Sequence, residues 1–449
     1  MPAVPLPIDE TFTGFEAAGG TRVARTLHPS GLRILTEQVP GSQSATVGYW
    51  IPAGSRDEDE GAYGSTHFLE HLLFKGTPTR SALDIAVAFD AVGGDHNAVT
   101  AKEHTCYYGK VRDRDLPMAI DVLSDMMAAA LIDPVEFETE RGVILEELAM
   151  ADDDPADVAA ERFAAAVYGG HPLGRPIGGS PASIEAVSRD RVHAHYRSHY
   201  RPAELVVTAA GAVDHDALVD AVLAGLRRHG WDLDAVSTPK PRRSTAPADI
   251  AGRIPVTAVR RKLEQVSVVL GAPALTATAA ERPALAVLTN VLGGGMSSRL
   301  FQEVRERRGL AYSVYAYAPG YSDAGAIGMA AGCAPKKVGD VLRVMSDEFA
   351  RIAAEPIADA ELARAVGQLS GSAALALEDS DARMSRLGRA ELTAGEFVDL
   401  DTWGERLAAV TPAAVQALAG ELVTRPRVAI GVGPVAETVL ADAAGGLAG

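Results

Sequence analysis

Two kinds of hydrophobic pattern alternate along the chain. The stretch "SATVGYWIPAGS", residues 44–55, is a run of β-branched and apolar residues that closes in a Pro-containing turn, and it predicts a buried strand. The stretch "LIDPVEFETERGVILEEL", 131–148, opens on acidic residues and then repeats its apolar positions on a helical period, which predicts an amphipathic helix. In "YRPAELVVTAAGAV", 200–213, an Arg-Pro pair leads into a buried strand that ends in glycine. Each has a counterpart further on: "VSVVLGAPALTA" at 266–277, "PIADAELARAVGQLSGSA" at 356–373 and "TRPRVAIGVGPV" at 424–435. Self-similarity of this kind predicts a duplicated architecture. Between the copies, "DLDAVSTPKPRRSTAPADIAGR" is rich in Pro, Ser, Thr, Ala and charge and follows neither period. It predicts a linker over 232–253, with one α+β domain over 1–231 and a similar one over 254–449.

The segments "STHFLEHLLF" (65–74) and "SALDIAVAFDAVGG" (81–94) also predict helices, the first with Ser65 or Thr66 as its cap. On a helix, residues three and four apart share a face. His67, Glu70 and His71 then point one way while Phe68, Leu69 and Leu72 pack elsewhere. Two neutral imidazoles one turn apart can grip one metal ion, which removes the penalty for placing them among apolar residues. A catalytic zinc commonly takes a third protein ligand and keeps one position open. The helix "FETERGVILEELAM" offers Glu138, Glu140, Glu146 and Glu147. Glu140 and Glu147 lie two turns apart on one face, and Glu146 points aside. This makes Glu147 the expected ligand and Glu140 the carboxylate that orients a ligand histidine. Glu70 is left beside the open position as the candidate general base.

All eleven histidines lie at or before His229, so the second copy cannot supply one to any site. His195 and His199, in "HYRSHY", have no acid between them and read as a surface helix end. His171 sits in a Gly- and Pro-rich loop, a flap or a turn, and His96 and His104 fall in a strand pair. The net charge of −17 argues against nucleic acid or an anionic membrane as partner. The two cysteines, Cys106 and Cys333, fall in different halves and suggest neither disulfides nor a thiolate metal site. The first twenty residues lack the pattern of a secretory signal, and no apolar run approaches the roughly 20 residues that span a bilayer. These features predict a soluble, cytoplasmic protein.

His-x-x-Glu-His is the inverted zinc-protease motif. Together with "GGDHNAVTAKEHTCYY", "ERGVILEE", "HPLGRPI" and "GGGMSSRLFQEVRERRGLAYSV", it makes the chain resemble the pitrilysin-type (M16) metallopeptidases of the short, mitochondrial-processing-peptidase-like branch. The resemblance runs through both halves. It implies two similar domains, each a mostly antiparallel sheet packed with helices. It implies one Zn²⁺ per chain on His67, His71 and Glu147, with Glu70 as base and Glu140 in support. It also implies that Asn97 and Ala98 lie on an edge strand that pairs with the substrate backbone. Family members often have Phe where this chain has Val99, so the adjoining pocket differs. Arg305 and Tyr312 match the substrate-clamping pair of the family's partner domain.

The expected activity is zinc-dependent endopeptidase cleavage of peptides or unfolded segments. Because the family encloses substrate between two half-shells, a two-domain chain is expected to pair. Carrying both motifs, it is expected to form a homodimer with a clamshell chamber. The alternatives are the catalytic member of a heterodimeric processing peptidase, or a non-catalytic assembly factor.

Overall fold

A strand that is apolar along its whole length needs cover on both faces, and the central strands of this chain are of that kind. Ser44–Ile51 is buried at every position from Ala45 onward, and Val266–Pro273 is buried nearly throughout. In the computed structural model, which describes residues 3–445, these strands are the centres of two compact units. The terminal residues of the two expected domains, 1–2 and 446–449, lie outside the described residues.

The first unit holds a seven-stranded sheet in the order Phe12–Ala17, Thr21–Leu27, Arg33–Gln38, Val206–Gly211, Ser44–Ile51, Thr105–Arg112, Asp95–Thr100. The second holds five strands in the order Ala311–Tyr317, Ala326–Cys333, Val266–Pro273, Val428–Val432, Val256–Val259. Starting from Asp95–Thr100 and from Ala311–Tyr317, the five shared strands follow the same order. Three antiparallel pairings are followed in each case by one parallel pairing, Val206–Gly211 with Arg33–Gln38 and Val428–Val432 with Val256–Val259. The duplicated α+β architecture is therefore present strand for strand, and the first unit adds two strands at its far edge.

The units are not continuous in sequence. The first comprises Met1–Leu148, Pro176–Arg242 and Ala374–Thr402, and the second Ala149–Arg175, Arg243–Ala373 and Trp403–Gly449. The stretch 232–253 carries neither helix nor strand, and the boundary at Arg242 falls inside it. The discontinuity follows from the doubly apolar strands. One face of the first sheet packs on helices Ser65–Leu73, Leu116–Ala129, Arg189–His199 and His215–Arg228, through a core that includes Val47, Tyr49, Phe68 and Leu123. The other face, with Leu35, Trp50, Cys106 and Val206, is covered by Met384 and Leu387 of helix Ser380–Arg389. In the second unit, Phe163 and Val158 of helix Pro155–Tyr168 cover Val269 and Ile430. Each sheet thus receives a helix from the opposite half of the sequence. Glycine makes both approaches possible. A Cβ on Gly48 would sit 2.4 Å from the Met384 sulfur, and one on Gly271 would sit 2.7 Å from the Phe163 ring.

Candidate metal centre

Helix Ser65–Leu73 buries Phe68, Leu69, Leu72 and Leu73 and leaves His67, Glu70 and His71 half-buried on the other side, as the spacing requires. Its cap differs from the expectation. Neither Ser65 nor Thr66 caps it; both are buried inside the first turn. The capping position is Gly64, with φ +94°, which has no side chain to offer. The buried carboxylate of Glu58 takes over, accepting from the Gly64 N–H at 2.8 Å and the Thr66 N–H at 2.7 Å. It satisfies backbone donors that the helix itself leaves unpaired and brings negative charge to the positive end of the helix dipole.

The carboxylate helix, Pro134–Asp153, buries Phe137, Glu140 and Ile144, and Glu147 continues that face. The two helices are registered by an aromatic stack: the Phe68 and Phe137 rings lie 4.4 Å apart and nearly parallel, with the Arg141 guanidinium 4.8 Å from the Phe137 ring. That contact carries the carboxylates to the histidines. Glu140 Oε2 lies 2.9 Å from His71 Nδ1, and Glu147 Oε2 lies 3.4 Å from His71 Nε2 and 3.7 Å from His67 Nε2. Glu146 is exposed. Among the described residues, His67, His71 and Glu147 are the one set of three whose donor atoms, all within 4.8 Å of one another, could converge on a metal ion.

The donor chemistry fits a zinc ion. An ionised Glu140 carboxylate can only accept, so it fixes the proton of His71 on Nδ1 and leaves the Nε2 lone pair facing Glu147. Burial, with the neighbouring His71 acting in the same direction, holds the His67 imidazole below its usual pKa and keeps its lone pair available. The 3.4 and 3.7 Å separations from Glu147 are close to the roughly 3.4 Å between two ligands bound at about 2.0–2.2 Å to one tetrahedral ion. Glu140 is only 2% exposed, and its second oxygen is met by Lys75 Nζ at 2.6 Å. Lys75 therefore balances a carboxylate that would otherwise be buried beside a neutral imidazole.

Glu70 accepts a hydrogen bond from the Thr100 hydroxyl. Thr100 ends strand Asp95–Thr100, the edge strand of the first sheet, which also carries Asn97 and Ala98. Asn97 is exposed, Ala98 is buried, and Asn97 Oδ1 accepts from the Ala98 N–H at 2.8 Å. Arg305 and Tyr312 belong to the second unit. Arg305 lies on a wide π-helical turn, Phe301–Arg307, its guanidinium 4.3 Å from the Tyr312 ring and 4.7 Å from the Phe301 ring. Tyr312 stands 77% exposed on the edge strand of its sheet.

Sequence reasoning missed Glu58, Lys75 and Thr100. Lys75 stands four residues after His71, in the turn that follows the helix, where helical spacing no longer fixes its direction; nothing local marked the other two. The reading of "HYRSHY" as a surface helix end also needs correction. His195 is 9% exposed, its Nε2 lies 3.3 Å from the Thr66 hydroxyl, and burial, reinforced by His199, pushes its pKa down to about 4. The helix packs on the motif helix with that side, so the histidine faces inward. His171 lies in the second unit at a tight turn, its Nε2 3.6 Å from Asp323. His96 stacks on Phe89 at 4.4 Å.

Comparison with known proteins gives a consistent result. The family described as "Insulinase (Peptidase family M16)" matches residues 33–180, and "Peptidase M16 inactive domain" matches residues 186–369. A Streptomyces coelicolor protein named "Uncharacterized zinc protease" is 49% identical over 92% of this chain and 90% of its own. The zinc protease YmxG of Bacillus subtilis is 36% identical over 88% and 94%. The crystal structure of a Helicobacter pylori protease superposes with a TM-score of 0.81 at 19% identity, covering 94% of this chain and 99% of the other.

Proposed function

The chain belongs to peptidase family M16, and on that premise we propose that it is a zinc-dependent metalloendopeptidase that cleaves peptides or unfolded protein segments. The observation that carries this reading is the convergence of His67, His71 and Glu147, with Glu70 on the same helix face. Relatives named zinc proteases support the choice of metal. His67, His71 and Glu147 would hold one zinc ion per chain. When bound, zinc supplies a Lewis acid that polarises a peptide carbonyl and acidifies water.

The chain's own residues do the rest. Glu140, balanced by Lys75, keeps His71 in the tautomer that offers Nε2. Glu70 takes a proton from the attacking water and gives it to the leaving amine. The exposed edge Asp95–Thr100 receives the substrate backbone as an added strand near Asn97 and Ala98. Arg305 and Tyr312 hold a substrate carbonyl and stabilise the charge that develops on it. The second copy in the sequence, from residue 254 onward, has no histidine, and Ala365 and Ser372 stand about where the first has Glu140 and Glu147, so its part lies with substrate rather than metal. A homodimer that encloses the substrate gives each site both sets of residues.

Glu70→Gln tests the reading. It removes the base but no ligand, so zinc content should stay at one per chain while cleavage of an unstructured peptide falls by about 10²- to 10⁴-fold. Cleavage near the wild-type rate would overturn the assignment. His71→Ala and Glu147→Ala should instead lose zinc.

A further inference from the structure

Among the described residues Glu70 has one hydrogen-bond partner, the hydroxyl of Thr100, which donates to Oε2. Two buried phenols lie close enough for the Glu70 charge to help raise their pKa values, although burial dominates in both. These are Tyr107 and Tyr200, and their hydroxyls bond each other at 3.0 Å rather than the carboxylate. A glutamate on a helix has three side-chain torsions and loses up to about 2 kcal/mol of rotamer freedom when it is fixed. Among the described residues one group fixes it, and that group stands at the end of the edge strand of the first sheet.

We propose that Thr100 is a positioning residue for Glu70. Its hydroxyl occupies Oε2, selects the rotamer that holds the carboxylate over the site and leaves Oε1 as the oxygen that accepts the proton. Because Thr100 belongs to the edge strand, a peptide pairing along Asp95–Thr100 and the base that acts on it are referred to the same stretch of backbone. The inference rests on the peptidase reading, and it adds to that reading a residue that touches neither metal nor scissile bond.

The test uses Thr100→Val, which keeps the shape and removes the hydroxyl, and Thr100→Ser, which keeps the hydroxyl. Loss of a hydrogen bond to a charged group corresponds to about ten- to a hundredfold in rate. Thr100→Val should lower kcat by that factor with KM within about twofold and zinc stoichiometry unchanged, and Thr100→Ser should recover most of it. A second readout needs no activity. In the metal-free full-length protein, the melting shifts of Thr100→Val and Glu70→Ala should fail to add in the double variant, since both remove one contact. Wild-type kcat in Thr100→Val, equal losses in Val and Ser, a change in KM alone, or additive melting shifts would each overturn the proposal. If Glu70→Gln retains full cleavage, or the wild-type chain binds no zinc, the peptidase reading fails, and the positioning role falls with it. If Glu70→Gln is inactive and Thr100→Val is not, only the present inference fails.

Discussion

Replacing Glu140 separates metal affinity from fold stability. The carboxylate is almost wholly enclosed, with one oxygen on His71 Nδ1 at 2.9 Å and the other on Lys75 Nζ at 2.6 Å. Glutamine keeps the size and one acceptor but loses the charge. A hydrogen bond to a charged group is worth about 1.5–3 kcal/mol and a neutral one about 0.5–1.5. The His71 contact in Glu140→Gln should therefore weaken by about 1–1.5 kcal/mol, which is roughly five- to fifteenfold in zinc affinity. Alanine removes the contact altogether, and such partners of ligand histidines carry about 10- to 100-fold in metal affinity. The metal-free fold should suffer less than a lost buried ion pair suggests, because the Lys75 side chain is 32% exposed and can turn to water. The reciprocal change, Lys75→Met, leaves a carboxylate that is 3% exposed without its counter-charge and should destabilise the metal-free protein more than Glu140→Gln does. Competition against a chelator of known zinc affinity measures the first quantity, and urea unfolding of the apo protein measures the second. Unchanged zinc affinity in Glu140→Ala would refute the role given to this carboxylate.

Substitutions at three other positions probe the surroundings. Glu58→Ala removes two buried bonds to the N–H groups of the motif helix and should cost about 1–3 kcal/mol of stability to unfolding, with Glu58→Gln losing less. Phe137→Leu keeps most of the buried volume but loses the stack on Phe68, an interaction worth about 0.5–1.5 kcal/mol beyond area; urea unfolding should shift by about 1–3 kcal/mol, and zinc affinity should fall with it. The His195 pKa is pushed down from 6.5 to about 4, so the unfolded chain binds more protons between those values; stability is complete above pH 6.5 and declines as pH falls toward 4. Glu204 adds a second decline below that: burial opposes its ionisation, but hydrogen bonds from His199, Lys240 and Arg201 hold its pKa down at about 2 against 4.5, so its contribution fades between pH 4.5 and 2. Thermal unfolding across pH in wild type and His195→Asn should show the upper limb vanish in the variant.

Much of this arrangement was legible because it is periodic. The spacing of His67, Glu70 and His71, and the seven residues from Glu140 to Glu147, are statements about one helix each, and helix geometry converts them directly into shared faces. The duplication was legible for the same reason, since strand and helix patterns repeat in order. What escaped depends on contacts distant in sequence. Glu58 caps a helix that begins seven residues later, through a turn that no period describes. Thr100 reaches Glu70 from a strand thirty residues away. His195 shares the i, i+4 spacing of His67 and His71, yet its burial is decided by which face of its helix meets the motif helix. The exchange of covering helices was hinted at by the doubly apolar strands, but no local signal says which segment supplies the cover.

That exchange sets the order in which the chain can mature. The outer face of the first sheet waits for Met384 and Leu387, and the enclosed Arg25 waits for Glu391, 366 residues downstream. Loop closure over such separations is slow, and until it happens an apolar sheet face stands open to water. A ribosome that has released the first 231 residues has released half of a hydrophobic sandwich. The first sheet therefore cannot complete its cover until residues 374–402 have been made, and a fragment ending at the linker should be recovered as aggregate rather than as a soluble zinc-binding domain.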